Sequence, residues 1–348
     1  MNDLKKNITF LKYSDGLRVF SIIAVIMLHT SAVRVANWPQ LESVTWWVSH
    51  VFDSMCRWAV PVFIMLSGAL ILDLSRPYTL CGFYKKRFVR VVIPFLFWAS
   101  FYYFWSYKSY GMNITPDFIK KSLWQGLTYN HLYFVFIILG LYAVVPVLRL
   151  LLKYIPLWNI WILVAALFVV SSSGILFRYL PMNGLTRFVP YLSYFLLGYL
   201  IRLRGEKIKW RILFIPAFVS ATTVIIFKTY LLVSQFGRDD YRAFAWYDHF
   251  SVGVIIQSLC VFLFAQTIFD ASKETATNGL IKLLSPVAFG IYLIHVVFLD
   301  VLRTFTSSWC EQWIFFTIIL EVLLVFIASS CACLILRRIP LGRALIGL

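Results

Sequence analysis

Apolar residues run along this chain in long blocks, not in the short periodic stripes of a soluble fold. About ten such blocks lie near residues 17–35, 58–74, 91–107, 131–148, 157–174, 188–203, 212–233, 251–269, 286–304 and 313–336. Each approaches the roughly 20 residues that an α-helix needs to cross a bilayer. The polar connections are short; the longest fall near 108–130, 175–187, 235–249 and 270–284. A chain of this pattern satisfies its backbone in lipid only by forming helices, so it predicts an all-α fold: a polytopic membrane helix bundle of about ten transmembrane helices. No repeat or soluble segment interrupts it, and residues 1–348 read as a single transmembrane domain. Residues 43–57, just ahead of the second block, are amphipathic; they either lengthen that span or lie on the membrane surface. Lys5, Lys6 and Lys12 before the first block resemble the start of a secretion signal. Arg18 and His29 inside the block, and no cleavage motif after it, predict a retained first helix instead.

Composition and charge agree with this reading. The chain is 61% hydrophobic and only 14% charged, which excludes an ordinary soluble domain. A net charge of +17 would by itself suit a nucleic-acid binder. The basic residues, however, come in bursts between apolar blocks and form no soluble face, so membrane lipids and no nucleic acid are the expected surroundings. About two thirds of the 32 Lys and Arg fall in alternate connections, beginning with the N-terminal one. That bias predicts an even number of spans with both termini cytoplasmic. Trp46, Trp47, Trp105, Trp158 and Trp313 sit near block ends, where interfacial rings belong. Cys56, Cys81, Cys260, Cys310, Cys331 and Cys333 lie within or beside apolar runs, with no metal-type spacing; they read as buried small hydrophobes.

Ionisable residues inside the blocks are the candidates for chemistry, because lipid tolerates them poorly. Arg18 and His29 are eleven residues apart, close to three helical turns, so they share a face with a rise of about 16 Å. Arg18 then marks the cytoplasmic mouth and His29 the membrane interior. This suits a ligand that enters anion-first and places its reactive end at depth. A snorkelling arginine and a histidine bonded to a neighbouring helix form the structural alternative. Arg87 and Arg90, three apart before the third span, share a helix face suited to phosphates, and equally suit a positive-inside loop. In Arg57-Trp-Ala-Val-Pro61, the proline bends the second span, while Ser67 and Gly68 further along read as packing residues. His295, in Gly290-Ile-Tyr-Leu-Ile-His295 of the ninth span, reaches the depth of His29, and Glu321 on the tenth reaches a similar level. The three form either one polar centre or a structural His–Glu contact. Asp15 pairs with Arg18, pairs with an arginine of the 87–90 pair, or caps the first helix. Nothing in the chain matches a phosphate-binding Walker loop, a GxSxG elbow or an HExxH motif, and no carboxylate cluster suggests a metal.

Arg18 and His29 with ten residues between them, Arg87-x-x-Arg90, the Arg57-to-Gly68 stretch and the late Gly290-to-His295 segment together resemble the signatures of membrane acyltransferase family three. The short chain, with no appended hydrolase-like domain, is similar to the enterobacterial common antigen O-acetyltransferase group of that family. The resemblance implies an enzyme of the bacterial inner membrane. It would move acetyl from cytoplasmic acetyl-CoA to a hydroxyl of a surface glycan or its lipid-linked precursor, without a metal. It implies His29, Arg18 and His295 as catalytic residues and Arg87, Arg90 and Arg18 as contacts for acyl-CoA. Asp15, Arg57, Ser67 and Glu321 would support the substrates or the structure. A transporter of a glycan or lipid-linked precursor is the main rival, since polar residues at mid-depth also suit a permeation path. A scaffold without chemistry leaves the arginine and histidine spacings unexplained.

Overall fold

The computed structural model of the chain describes the backbone of residues 2–37, 40–75, 79–204, 211–268, 276–306 and 313–348, and the side chains of 13–37, 40–75, 79–204, 212–265, 279–306 and 313–348. Cys310 and the side chains of Lys5, Lys6 and Lys12 lie outside the described residues. The first helices are α1 (Asn2–Asn37), α2 (Val44–Cys56), α3 (Ala59–Ile71), α4 (Leu80–Arg87) and α5 (Ile93–Tyr110). Then come α6 (Pro116–Gln125), α7 (Tyr133–Tyr154), α8 (Leu157–Ser172), α9 (Ile175–Tyr179) and α10 (Leu192–Arg204). The remainder are α11 (Phe214–Phe236), α12 (Val252–Ile268), α13 (Ala276–Leu284), α14 (Ala288–Thr306), α15 (Ile314–Leu336) and α16 (Pro340–Leu345). No strand occurs among the described residues. The all-α expectation holds, and the protein is a polytopic helical membrane protein.

Among the described residues, eight helical stretches are long and apolar enough to cross a membrane: Tyr13–Asn37, Val44–Ile71, Leu80–Tyr110, Tyr133–Tyr154, Phe214–Phe236, Tyr241–Ala265, Gly279–Thr306 and Ile314–Leu336. They overlap eight of the ten expected spans. The other two expected spans fall on α8, of 16 residues, and α10, described over 13 residues; as described, neither stretch reaches the length of a full crossing. The amphipathic 43–57 segment does lengthen its span, since α2 and α3 form one apolar stretch of 28 residues.

The chain folds as two compact units: residues 1–63 with 205–334, and residues 64–204 with 335–348. In the first unit, α1 packs against α2, α12 and α14, while α11 packs against α2 and α12. Its helices turn polar groups inward. On α15, Thr317, Glu321, Ser329 and Ser330 are buried, while Leu320, Leu323, Leu324 and Ile327 are exposed. That is the arrangement expected where the solvent is hydrocarbon and polar groups must find partners inside the protein. The same inversion marks α2. Its buried residues are Thr45, Trp46, Ser49, His50, Asp53 and Ser54, each with a hydrogen-bonding group, while Val44 and Met55 face outward. Ser43 starts that helix by accepting a hydrogen bond from the Trp46 backbone N–H at 3.2 Å.

In the second unit, α3 and α10 approach at glycines. A methyl group on Gly68 would overlap the Phe195 carbonyl, and one on Gly198 would overlap the Met65 carbonyl. Two arginines then close the end of α3. Arg202 donates to the Ala69 carbonyl at 2.6 Å and to the Asp73 carboxylate at 2.7 Å. Arg149 donates to the carbonyls of Ile71 at 3.2 Å and Asp73 at 2.7 Å. They satisfy carbonyls that the helix itself leaves without partners. Burial pushes the Asp73 carboxyl up, but the Ser75 hydrogen bond and the Arg202 charge outweigh it and hold the group below the usual carboxylate range. The short α16 docks on α5, where the Trp98 indole N–H donates to the Leu345 carbonyl at 2.9 Å.

The described cysteines are free. Cys260 and Cys333 are buried as expected, but Cys81 and Cys331 are exposed. On α15, Cys331 continues the outward apolar side, where an unpaired thiol behaves as a small hydrophobe toward lipid.

Candidate functional site

Helix α1 carries the core of the site. Midway along it, Arg18 donates to the Asp15 carboxylate at 2.9 Å and to the Ser285 hydroxyl at 3.3 Å. Ser285 in turn donates to Asp15 at 2.6 Å. Of the partners open to Asp15, the structure thus selects Arg18, and it adds a serine just before α14. The contact fixes the first helix against the start of α14 and holds the guanidinium in one place.

Three turns along the same helix, His29 meets His295 of α14, with ring centroids 5.3 Å apart and planes at 41°. His295 is fully buried. Its Nδ1 lies 2.7 Å from the Tyr292 carbonyl, and a carbonyl only accepts. The proton therefore sits on Nδ1, and Nε2 carries the lone pair. The charges of Arg57 and Arg303 both lie within electrostatic reach of His29.

The backbone around His29 is held from two sides. Arg303 of α14 donates to the His29 carbonyl at 2.6 Å. Arg34 donates to the Thr30 carbonyl at 3.0 Å. Arg34 is itself fixed by Glu321 of α15 through two parallel hydrogen bonds of 2.8 Å, the planar fork pairing that suits guanidinium and carboxylate. Thr306 donates to the same carboxylate at 2.5 Å. Glu321 is thus the anchor of the arginine one turn beyond His29, rather than a direct partner of the histidine rings.

Arg57, at the end of α2, pairs with Asp53 and lies 3.6 Å above the centroid of the Tyr247 ring. His50 joins the same group. Its Nε2 lies 2.9 Å from the Ile226 carbonyl and so carries the proton, which leaves Nδ1 to accept from the Tyr247 hydroxyl. Gln257 of α12 donates to the Ser54 carbonyl at 3.0 Å and the Thr222 hydroxyl at 2.7 Å.

The first unit therefore brings together His29 and His295, joins Arg18 to Asp15, and places Arg57 near His29. Ser67, Arg87 and Arg90 belong to the second unit. There the expected shared face of Arg87 and Arg90 is interrupted, because residues Phe88–Val92 form a π-helical turn. Its wider turn changes the angle between successive side chains. Arg87 is half-buried, with its guanidinium 4.7 Å from the Phe83 ring and 5.1 Å from the Tyr142 ring, while Arg90 is exposed. Ser67 is half-buried on α3.

Sequence reasoning missed Arg34, Arg303, Ser285, Asp53 and His50. The two arginines were absorbed into the count of basic residues. The available signal was Glu321: an acid deep in an apolar block requires a cation, and Arg34 lies on a span of matching depth.

Comparison with known proteins places the family domain described as "Acyltransferase domain" over residues 11–338. The chain is 24% identical over 359 residues to a Staphylococcus epidermidis protein named "Probable poly-beta-1,6-N-acetyl-D-glucosamine export protein", an alignment covering 99% of this chain and 96% of that protein. A protein of the same name from Staphylococcus aureus strain MSSA476 is 22% identical over 349 residues, covering 95% and 94%. No solved structure matches significantly.

Proposed function

The chain belongs to the type-3 acyltransferase family, and from that premise we propose that it is an O-acetyltransferase of the bacterial inner membrane. It takes acetyl from cytoplasmic acetyl-CoA and places it on a hydroxyl of a cell-surface polysaccharide or its lipid-linked precursor. The observation that carries the proposal is the His29–His295 ring contact, with Arg303 bonded to the His29 carbonyl and Arg57 within electrostatic reach. Histidine is the side chain best suited to take and return a proton near neutral pH.

In the proposed reaction, the acceptor hydroxyl attacks the acyl carbonyl carbon while neutral His29 takes its proton. The new C–O bond forms, the C–S bond breaks, and the protonated His29 returns the proton to the departing thiolate. Arg57 and Arg303 favour the negative charge that develops on the carbonyl oxygen. His295, its Nδ1–H committed to the Tyr292 carbonyl, orders the His29 ring. Arg18, held by Asp15 and Ser285, is the donor-side cation on α1. Arg87 and Arg90 are proposed as phosphate contacts from their residue type and spacing.

The test incubates the purified full chain in lipid nanodiscs with labelled acetyl-CoA and an oligomer of β-1,6-linked N-acetylglucosamine. The wild type is expected to label the oligomer. His29→Ala should reduce labelling by about 100-fold or more and still insert in the membrane. Retained labelling by that variant removes His29 from the mechanism.

The names of the staphylococcal relatives favour a second reading, the export of a glycan. Consumption of acetyl-CoA separates the two: a transporter moves the oligomer across a sealed vesicle and leaves the thioester intact.

A further inference from the structure

His29 and His295 touch, yet they differ in access. His295 is fully buried, whereas His29 keeps part of its surface open. Lipid tolerates an open imidazole poorly, so that surface faces a polar opening. The inward face of α2 is closed: Trp46, Ser49, His50, Asp53 and Ser54 are fully covered. Arg57, which follows that helix, is not, and its side chain is 16% exposed. With Trp58 it interrupts the Val44–Ile71 stretch between α2 and α3. The Tyr241–Ala265 stretch is interrupted too. Its 3₁₀ turn over Tyr241–Tyr247 gives way to bends and turns at residues 248–251 before α12 begins. The Asp248 carboxylate accepts from the Phe250 backbone N–H at 2.7 Å, and the Ser251 hydroxyl donates to the Trp246 carbonyl at 2.9 Å. These bonds hold the break open. Asp248 is exposed and His249 partly so. Non-helical backbone within such a stretch is stable where protein buries it or where it lines a water-filled space, and the exposed carboxylate selects the second.

Arg57 links the two breaks. Its charge lies within electrostatic reach of His29, Asp248 and His249, and its guanidinium sits 3.6 Å over the ring of Tyr247, the residue before Asp248. Four polar side chains with accessible surface thus gather in one neighbourhood, Asp248 the most open and His29 at the reacting end. The cluster lies toward one end of the unit. Arg18 is near the start of the Tyr13–Asn37 stretch, whereas His29 is in its other half, toward the connection to α2. The end of α11 meets the start of α2 there, with the Trp47 and Tyr230 rings 4.9 Å apart, and the Tyr241–Tyr247 turn follows α11. The chemistry narrows the ligand. A carboxylate accepts hydrogen bonds, a guanidinium donates them and an imidazole does both, which suits hydroxyls that themselves donate and accept. The open carboxylate disfavours a phosphate-bearing donor at this mouth. A hydroxyl is also what the His29 ring needs to receive.

We propose that Asp248 and His249, with Arg57 beside them, form the entrance by which the glycan acceptor reaches His29, and that they bind hydroxyls of one of its sugar rings on the side of His29 away from Arg18. It rests on the acyl-transfer reading for the identity of the ligand as an acceptor, but its test does not need transfer. The labelled β-1,6-linked N-acetylglucosamine oligomer is titrated onto the full chain in nanodiscs, with no acyl donor present. Asp248→Asn, whose amide oxygen can still accept from Phe250, and His249→Gln should each weaken oligomer binding by about fivefold or more, the effect of one lost hydrogen bond. Neither should change the affinity for acetyl-CoA by more than about twofold. A second measurement leaves the cluster intact. Ala245 is exposed three residues before Asp248. In a background without exposed native cysteines, Ala245→Cys should react with a maleimide, and saturating oligomer should slow that reaction by about fivefold or more. The proposal is overturned if the wild type does not bind the oligomer, if both variants bind it within about twofold of the wild type, or if they lose acetyl-CoA binding to the same degree. It is equally overturned if the oligomer leaves the Ala245→Cys reaction unchanged, a result that stands even where a substitution at 248 or 249 disturbs folding. Failure of the acyl-transfer reading shows separately, as acetyl-CoA left intact by a wild type that binds the oligomer.

Discussion

The Arg34–Glu321 pair ties α15 to the turn of α1 that carries His29 and Thr30. Glu321 is fully buried and holds Arg34 through both guanidinium nitrogens, and Arg34 in turn holds the Thr30 carbonyl. Removing one partner strands the other charge away from water, a loss of about 3–5 kcal/mol, whereas replacing both with apolar residues of similar size costs far less. Glu321→Gln and Arg34→Met should therefore each lower the thermal midpoint markedly, and Arg34→Met/Glu321→Leu should recover most of the loss. Transfer activity should not recover in the double variant, because the hold on Thr30 is gone. Recovery of both together would reduce the pair to a purely structural clasp. This pairing also shows what a sequence conveys at the level of single residues. Arg18 and His29 were legible because their spacing falls on one helix face and their residue types are costly in lipid. Arg34 and Arg303 were equally costly, yet near span ends a basic residue also serves orientation, and only the folded positions of Glu321 and the His29 carbonyl tell the two uses apart.

At the level of whole helices, contact distance decides. Gly198 lies against the Met65 carbonyl, a backbone group that cannot rotate away. Gly198→Ala should separate α3 from α10 and cost about 1–3 kcal/mol, measured as a lower thermal midpoint, whereas Gly174→Ala, whose added methyl meets nothing in space, acts only through its positive backbone angle. The end of α3 adds a pH dependence. Asp73 is held below the usual carboxylate range, so the stability it contributes is complete above about pH 4, its unfolded titration region, and is lost as the pH falls through its lower folded value. Acid should lower the wild-type thermal midpoint more steeply than that of Asp73→Asn. Equal slopes would exclude the Asp73–Arg202 contact as the source. The π-helical turn at Phe88–Val92 was beyond sequence reasoning, which assumes a constant angular step; nothing in Phe-Val-Arg-Val-Val announces a wider turn.

For the molecule as a whole, hydropathy located the membrane-crossing helices well, because length and apolarity are the properties the bilayer itself selects. It was least informative between residues 157 and 204, where the described stretches of α8 and α10 are apolar but short. An even number of spans places the two termini on one side whether those helices cross or not, so terminal reporters leave that point open. Leu185, exposed between the two helices, resolves it. With both helices crossing, as the charge bias predicts, a cysteine at Leu185 in a background without exposed native cysteines should react with a membrane-impermeant maleimide from outside the cell. Labelling only after lysis would favour eight spans.

The polar face of α2 also has a history in time. His50 finds Tyr247, and the Ser54 carbonyl finds Gln257, only after about 200 more residues have been synthesised, which at about 5–20 residues per second means tens of seconds. Through that interval α2 enters a membrane with its hydrogen-bonding side uncovered. The apolar α3, continuous with it in one stretch of 28 residues, is what can carry it in. Nascent chains halted before residue 247 should therefore leave α2 dependent on the insertion machinery, and release should follow completion of α11 and α12. The face that is fully covered in the finished protein begins as the segment most in need of shelter while the protein is being made.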